Sequence, residues 1–292
     1  MVTSTHPKQD PVRHSSVRPS ERGQTGAPRG VVLLRPDPKT LADTRNVRPD
    51  VQVELWDWAG GPVPGIDAQD PFERANSLPA VLEESPHLEW LSLPSRLAYL
   101  LRPRHLQGVK NLHFSGEGVA DLRAVDLPVP IRALGGYKVT FKLDEKSFPD
   151  LESLDLRITK AGHVDRVLAR FPKVRELLVS PARAEQLRSL PARLEALHLV
   201  NGDVADLSCL SHLSALRLLQ LNNLPKLRSV ESLVALQDLE EVMVAYCPEL
   251  DARPFLQCPR LRFMTALGVP SISAVKAQLG EIFVSRGGSA DI

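Results

Sequence analysis

The sequence has few of the residues that would indicate covalent bracing or metal binding. It contains 3 cysteines in 292 residues, Cys209, Cys247 and Cys258, and no C-x-x-C pair. An odd number of cysteines leaves one unpaired in any disulfide scheme, and none is close enough to a terminus to brace an end of the chain. This pattern favours a reducing compartment, so we expect a cytoplasmic protein.

Long apolar runs and an excess of one charge are also missing. No apolar stretch approaches the ~20 residues that cross a bilayer, and the N-terminus lacks the apolar segment of a signal peptide. The formal net charge is +1, so no overall basic field indicates a nucleic-acid partner. We therefore expect no membrane span, and we do not expect nucleic-acid binding as the main activity.

The feature the sequence does have is a repeated apolar phrase, in which two apolar residues three apart are followed by a third two further on. A good copy is Leu194-x-x-Leu197-x-Leu199. Nine copies, two of them poorer, start at Leu88, Val109, Ile131, Leu151, Val174, Leu194, Leu216, Leu239 and Leu261. Successive starts lie 21, 22, 20, 23, 20, 22, 23 and 22 residues apart. A period in the low twenties is typical of a solenoid, in which each coil packs only on its neighbours.

The L-x-x-L-x-L phrase resembles the leucine-rich-repeat family over residues 76–272. This resemblance implies an α/β solenoid with a curved parallel sheet on the concave face, mixed α and 3₁₀ segments on the convex face, and a cap at each end. The first, fourth and sixth residues of each coil should point inward, and the residues between them should face the concave side. In this register, we expect Phe148, Phe171 and Cys258 to fill the core between coils.

The return segments of the coils differ in their apolar spacing. Apolar residues at every third position across 207–219 and 230–242 predict 3₁₀ turns, and these coils resemble phosphatase-regulator and internalin-type repeats. Residues 164–171 have helical spacing instead. The family usually places Asn or Cys at the ninth position, which this chain mostly lacks, since Asn201 and Asn223 come one residue early. Gly135 and Gly136 fall where the third strand should run, which predicts a weak coil.

The ends of the chain divide into three segments outside the array. Residues 1–30 form a basic, Pro-rich tail that we expect to be disordered, the alternative being a docking or nucleic-acid arm. Residues 31–75 should form an N-terminal cap with strands at 31–34 and 51–58. Trp56 and Trp58 in this cap either pack on the first coil or act as an exposed anchor. Residues 273–292 should form a C-terminal cap helix and tail, the amphipathic pattern itself starting at Ser271 and running to Val284.

Catalytic chemistry is not indicated by the sequence. His113 and His198 both occupy the fifth position of a coil, but four coils separate them, ~19 Å at ~4.8 Å per strand. Asp155 could pair with Arg175 across strands, and we interpret this as a surface salt bridge and not an acid–base pair. Phosphate-loop, H-E-x-x-H and nucleophile-elbow motifs are missing. We therefore expect a non-enzymatic protein with no cofactor, metal or small-molecule substrate.

The remaining candidate for function is the concave face, ~40 Å long at nine strands, which suits a protein or peptide partner. Tyr246 and Phe263 near one end and Trp90 near the other are the expected aromatic anchors, although Phe263 could instead pack under the C-terminal cap helix. The full predicted binding set is Trp90, His113, Asp155, Arg157, Arg175, His198, Gln220, Met243, Tyr246 and Phe263. The alternatives are a substrate-recognition or regulatory subunit of a larger ligase or phosphatase, and a nucleic-acid or lipid binder acting through the basic tail.

Overall fold

The computed structural model of the protein describes residues 30–34, 51–55, 88–136, 138–157 and 162–283. The tail predicted over residues 1–30 lies outside this set except for its last residue, and Trp56 and Trp58 also lie outside it. Within the described residues, no helix is both long and apolar enough to span a bilayer.

Nine of the described strands follow the repeat phrase, one for each coil, and four further strands lie outside the phrase. In chain order, all the described strands are β1 (Gly30–Leu34), β2 (Val51–Leu55), β3 (Trp90–Pro94), β4 (Asn111–Ser115), β5 (Gly118–Asp121), β6 (Ala133–Gly136), β7 (Val139–Lys142), β8 (Ser153–Arg157), β9 (Glu176–Ser180), β10 (Ala196–Val200), β11 (Leu218–Asn222), β12 (Glu241–Ala245) and β13 (Phe263–Leu267). Among the described residues, eleven of these thirteen strands form one parallel sheet in chain order, and β5 and β7 form a second sheet. The predicted curved parallel sheet is therefore confirmed.

The core lies directly behind the main sheet, where the inward residues of successive coils stack. Leu197 is in register with Leu219, which is in register with Val242, and all three are fully buried. The residues Phe148, Phe171 and Cys258, predicted to fill the core between coils, are also buried. Since full burial of a large aliphatic side chain contributes ~1.5–3 kcal/mol, the stacked apolar residues are the main stabilising feature of the array.

The return segments have the mixed character that their apolar spacing predicted. The period-three stretches contain 3₁₀ turns at Ser208–Leu210 and Glu231–Ala235, and the stretch with helical spacing forms α1 (His163–Arg170). A short helix, α2 (Ala184–Leu187), follows β9. Further 3₁₀ turns lie at Ser95–Leu100, Pro103–Leu106, Glu145–Ser147 and Arg253–Gln257.

The small sheet of β5 and β7 is a feature that the sequence did not indicate. The two strands are parallel, with Gly118 in register with Val139 and Asp121 with Lys142, and β5 packs against the 3₁₀ turn Ser95–Leu100. The ring of Phe141 lies 5.9 Å from that of Phe114 in the main core. The two strands lie in the return segments of the second and third coils, and in the third coil β7 is followed by the 3₁₀ turn Glu145–Ser147.

Additional elements continue the array at both ends. The predicted N-terminal strands are present, but the second ends at Leu55 and both join the main sheet, with Val53 in register with Leu91. At the other end, α3 (Ile272–Leu279) and a 3₁₀ turn, Gly280–Ile282, are shorter than the predicted helix. Val275 and Leu279 of α3 are buried where the helix packs on the turn Arg253–Gln257, and this burial covers the end of the core.

Candidate binding face

The concave face is built from the outward residues of the strands, and its middle row comes from the fifth position of each coil. Neighbouring members of this row are in register or in contact across the sheet. The row runs Ser92, His113, Gly135, Asp155, Leu178, His198, Gln220, Met243 and Thr265. Four of the residues predicted from sequence to be in the binding set, His113, Asp155, His198 and Gln220, therefore share one line of side chains with Met243, a fifth.

His198 lies on this row as predicted, but it is not open to solvent, because only 2% of the residue is exposed. Its Nε2 lies 3.1 Å from Oε1 of Glu176, and its Nδ1 lies 2.9 Å from Oε1 of Gln220. Burial lowers the pKa of His198, but hydrogen bonds to Glu176 and Gln220 and the charges of Glu176 and Asp155 together raise it above its ordinary value. The geometry therefore favours an imidazolium that donates from both ring nitrogens.

Asp155 explains the two glycines of the third coil. Its Oδ2 accepts a hydrogen bond from the Gly136 N–H at 3.1 Å, and a Cβ added to Gly135 would lie 2.7 Å from the same oxygen. The carboxylate thus fills the space that a side chain at 135 would need. The expected pairing of Asp155 with Arg175 is wrong, because Arg175 instead pairs with Glu195 at 3.2 Å.

Burial sets the direction of the pKa shift of Asp155 and His113, whereas hydrogen bonds and nearby charges set that of His198. Burial is the main cause that raises the pKa of Asp155, to about 6. The hydrogen bond from Gly136 and the charge of His198 lower this pKa, and the charge of Glu176 adds a smaller increase. Burial also lowers the pKa of His113, whose Nδ1 lies 3.3 Å from Oγ of Ser92. The concave centre thus combines a neutral imidazole, a charged one and a carboxyl that titrates close to neutral pH.

The second position of each coil forms a charged border along the amino ends of the strands. Lys110 pairs with Glu89, Arg175 with Glu195, and Arg217 with Glu240. These pairs join adjacent coils. The first two are largely solvated and contribute little to stability, whereas Glu240 of the third is buried. Along the border, five basic residues alternate with four acidic ones almost regularly, so the net charge of the border is small.

The carboxyl ends of β12 and β13 carry two exposed large hydrophobic residues. Tyr246 is 56% exposed and Leu267 is 50% exposed, and the Tyr246 N–H donates to the Leu267 carbonyl at 2.8 Å. Met243 lies on β12, the strand that ends just before Tyr246, and is partly exposed. We call Met243, Tyr246 and Leu267 the C-terminal rim.

The other predicted binding residues lie at the edges of the concave face. Trp90 is partly exposed at the amino end of β3. Arg157 is exposed at the carboxyl end of β8, where its Nη1 donates to the Lys138 carbonyl at 2.8 Å. Phe263 is partly exposed at the amino end of β13, about 13 Å along the strand from Leu267 at ~3.3 Å per residue. Phe263 and Tyr246 therefore do not form one aromatic patch.

Metal and thiol chemistry find no support in the part of the chain that the structure describes. No group of three or more His, Cys, Asp or Glu side chains there could hold a metal ion. Cys247 and Cys258 are buried and Cys209 partly so, and burial raises the pKa of Cys258 to about 11. A thiol protonated at neutral pH is a poor nucleophile, so these cysteines are core residues.

A parallel sheet that gains one strand every 20–23 residues, with inward leucines and 3₁₀ or α return segments, defines a leucine-rich-repeat solenoid. No protein-family model matches the chain, and no curated protein matches it either.

Solved structures of bacterial leucine-rich-repeat proteins are similar to it at low identity. Protein LegL7 of Legionella pneumophila is 16% identical over 90% of this chain and 99% of its own, with a TM-score of 0.49. Internalin C2 of Listeria monocytogenes is 22% identical over 56% of this chain and 73% of its own, with a TM-score of 0.40. Internalin F of the same species is 14% identical over 82% and 80%, with a TM-score of 0.38.

Proposed function

We propose that the protein is a non-enzymatic recognition module of the cytoplasm that binds a partner protein on its concave face, over the C-terminal rim. The supporting observation is the pair of neighbouring exposed side chains, Tyr246 and Leu267, at the end of the array. Large apolar side chains held in water are costly unless a partner covers them. The concave sheet beside them is long enough for an interface of ~800 Å² per partner.

The backbone at Tyr246 gives a second reason to treat this residue as functional. Its φ is +54°, in the left-handed region that bulky residues rarely adopt, at a cost of order 1–3 kcal/mol. The equivalent positions of the two preceding coils are Asn223 and Asn201, with φ of +53° and +50°, and asparagine tolerates this conformation. Tyrosine is less favourable than asparagine in this backbone conformation, so we attribute its presence at position 246 to contacts that its ring makes.

The test is a variant that separates folding from binding. Tyr246→Asn copies the residue that neighbouring coils use, so the melting temperature should stay the same or rise slightly. Binding of the protein that co-purifies with the full chain, measured by calorimetry, should weaken by ~2 kcal/mol or more. Leu267→Ser should act in the same direction.

The matched control is Leu127→Ser, which removes a side chain that is 60% exposed and lies away from the concave face, between β5 and β6. This control should leave the affinity unchanged. Phe263→Ala is a separate test. If this variant loses stability but keeps its affinity, Phe263 packs under the C-terminal cap helix and is not part of the binding site. If Tyr246→Asn and Leu267→Ser both retain full affinity, the partner does not bind over the rim and the proposal fails.

A further inference from the structure

The centre of the concave face holds a set of titratable groups that the recognition role of the rim does not use. Asp155 lies over Gly135 with one oxygen bound to the Gly136 N–H, and among the described residues no Lys or Arg side chain is hydrogen-bonded to it. Glu176 on the next strand is bonded to His198. The centre therefore contains, besides His113, the carboxyl groups of Asp155 and Glu176 and the enclosed imidazole of His198.

The groups facing Asp155 come from every strand around it. Its own strand β8 contributes Arg157, which is bonded to a carbonyl at the carboxyl end of the sheet. Strand β9 contributes Glu176, and also Arg175, whose guanidinium pairs with Glu195. Further across the sheet, β10 contributes His198 and β4 contributes His113. The adjacent β6 has no charged side chain near Asp155, since its residues there are Ala133, Gly135 and Gly136. Arg132 and Glu152 lie on the charged border at the amino ends. Of all these charges, those of His198 and Glu176 act on Asp155.

The geometry limits how this centre can respond to acid. The His198 ring is held between the oxygens of Glu176 and Gln220, so it has two acceptors and keeps its proton as pH falls. Glu176 accepts a hydrogen bond from that ring. Among the described residues, Asp155 has one neutral N–H donor and no cationic hydrogen-bond partner, so its carboxylate charge is poorly compensated.

We propose that the concave centre is a proton-sensitive element, in which mild acidification protonates Asp155 beside the hydrogen-bonded pair of Glu176 and His198. Protonation of Asp155 removes one negative charge from the centre. If the proposed partner-binding role holds, a partner presenting a cationic group to this centre binds more tightly at neutral than at mildly acidic pH. The proton uptake itself is a property of the free chain.

The test is an NMR titration of the full chain from pH 8 to 4.5, following the ¹³C carboxyl resonance of Asp155 and the amide resonance of Gly136. Both should move together with a midpoint near pH 6, since the pKa of Asp155 is raised to about 6. The matched control is Asp251, an exposed carboxylate whose hydrogen bonds with Arg253 lower its pKa, so its resonance should stay flat over the same range.

Two variants decide whether Asp155 is the proton acceptor. Asp155→Asn should abolish the Gly136 titration, and His198→Gln should move the Asp155 midpoint upward because a nearby positive charge is removed. A Gly136 titration that survives in Asp155→Asn, or an Asp155 midpoint as low as that of an exposed aspartate, would overturn the proposal. Failure of partner binding at the rim would leave this titration unchanged, so the two proposals fail separately.

Discussion

At the scale of single residues, the eighth position of each coil is where the sequence most directly sets the backbone. Six coils have a left-handed residue there: Gly116, Lys138, Asn201, Asn223, Tyr246 and Gly268. Asn201 and Asn223 come one residue before the ninth position, where the family usually has Asn or Cys. They therefore occupy the position at which the chain turns out of the sheet. The ninth residues, such as Leu224 and Cys247, are buried, so the turn is held by backbone conformation and apolar packing.

Gly135 provides a test of the contact that fills the concave centre. Gly135→Ala places a Cβ 2.7 Å from the Asp155 carboxylate, so the carboxylate must move and lose its Gly136 hydrogen bond. We expect a loss of ~1–3 kcal/mol in unfolding free energy, measured by urea denaturation. The double variant Gly135→Ala with Asp155→Ala should recover part of this loss; strictly additive effects would show that the two residues do not interact.

Asp155 also predicts how stability depends on pH. Its pKa is raised from 3.8 to about 6, so its stabilising contribution is fully present below 3.8 and is lost as pH rises through 6. At pH 7.5, Asp155→Asn should therefore be more stable than the parent, by up to ~3 kcal/mol at 1.36 kcal/mol per pKa unit. The gain should shrink between pH 6 and 4 in a series of thermal melts. A gain that is the same at pH 7.5 and pH 4 would rule out this linkage.

At the scale of elements, local spacing decided most return segments, but not all. A strict period of three gave 3₁₀ turns at Ser208–Leu210 and Glu231–Ala235, and helical spacing gave α1. The β5–β7 sheet was missed because each strand is only four residues long and its pairing joins segments 21 positions apart. Such short strands have no recognisable pattern until a partner strand is beside them.

The cap helix α3 gives the element-scale prediction. Val275 is 1% exposed and faces the turn Arg253–Gln257, so Val275→Asp puts an unpaired charge in the core at a cost of several kcal/mol. The melting temperature should fall, and proteolysis should begin in the last coil. Ala277→Asp is the control, because it adds the same charge on the exposed side of the same helix and should be nearly neutral. Equal effects of the two variants would mean that α3 does not cap the array.

At the scale of the whole molecule, the array should behave as a one-dimensional chain of coils. Each strand pairs only with the strands of adjacent coils, so stability is approximately a sum of coil and neighbour terms. A defect in one coil should therefore spread to its neighbours before it affects the far end.

Leu219 tests this behaviour because it is fully buried between Leu197 and Val242. Leu219→Asp should remove hydrogen-exchange protection from β10, β11 and β12 first, with β3 and β4 less affected. Ser214→Asp, which adds the charge at an exposed position just before this coil begins, should leave the exchange pattern unchanged. Uniform loss of protection in the Leu219 variant would indicate a single cooperative unit.

The sequence by itself determined the architecture, because the repeat period and the inward apolar residues are local and recur in every coil. It correctly placed the nine strands of the repeat phrase, the stacked core, the 3₁₀ turns of the two period-three segments and the row that carries His113, Asp155 and His198. One copy of the phrase is ambiguous, but nine copies in one register leave a single consistent way to bury the leucines.

Only the tertiary structure decided the contacts made on the concave face. Side chains there meet residues from coils about 20 positions away, and spacing cannot choose between the available partners. Asp155 took the Gly136 N–H and not Arg175, because the glycines leave room for its carboxylate. His198 became enclosed because Glu176 and Gln220 close over it from the strands on either side. Burial and its effect on protonation depend on that packing, which the linear pattern does not contain.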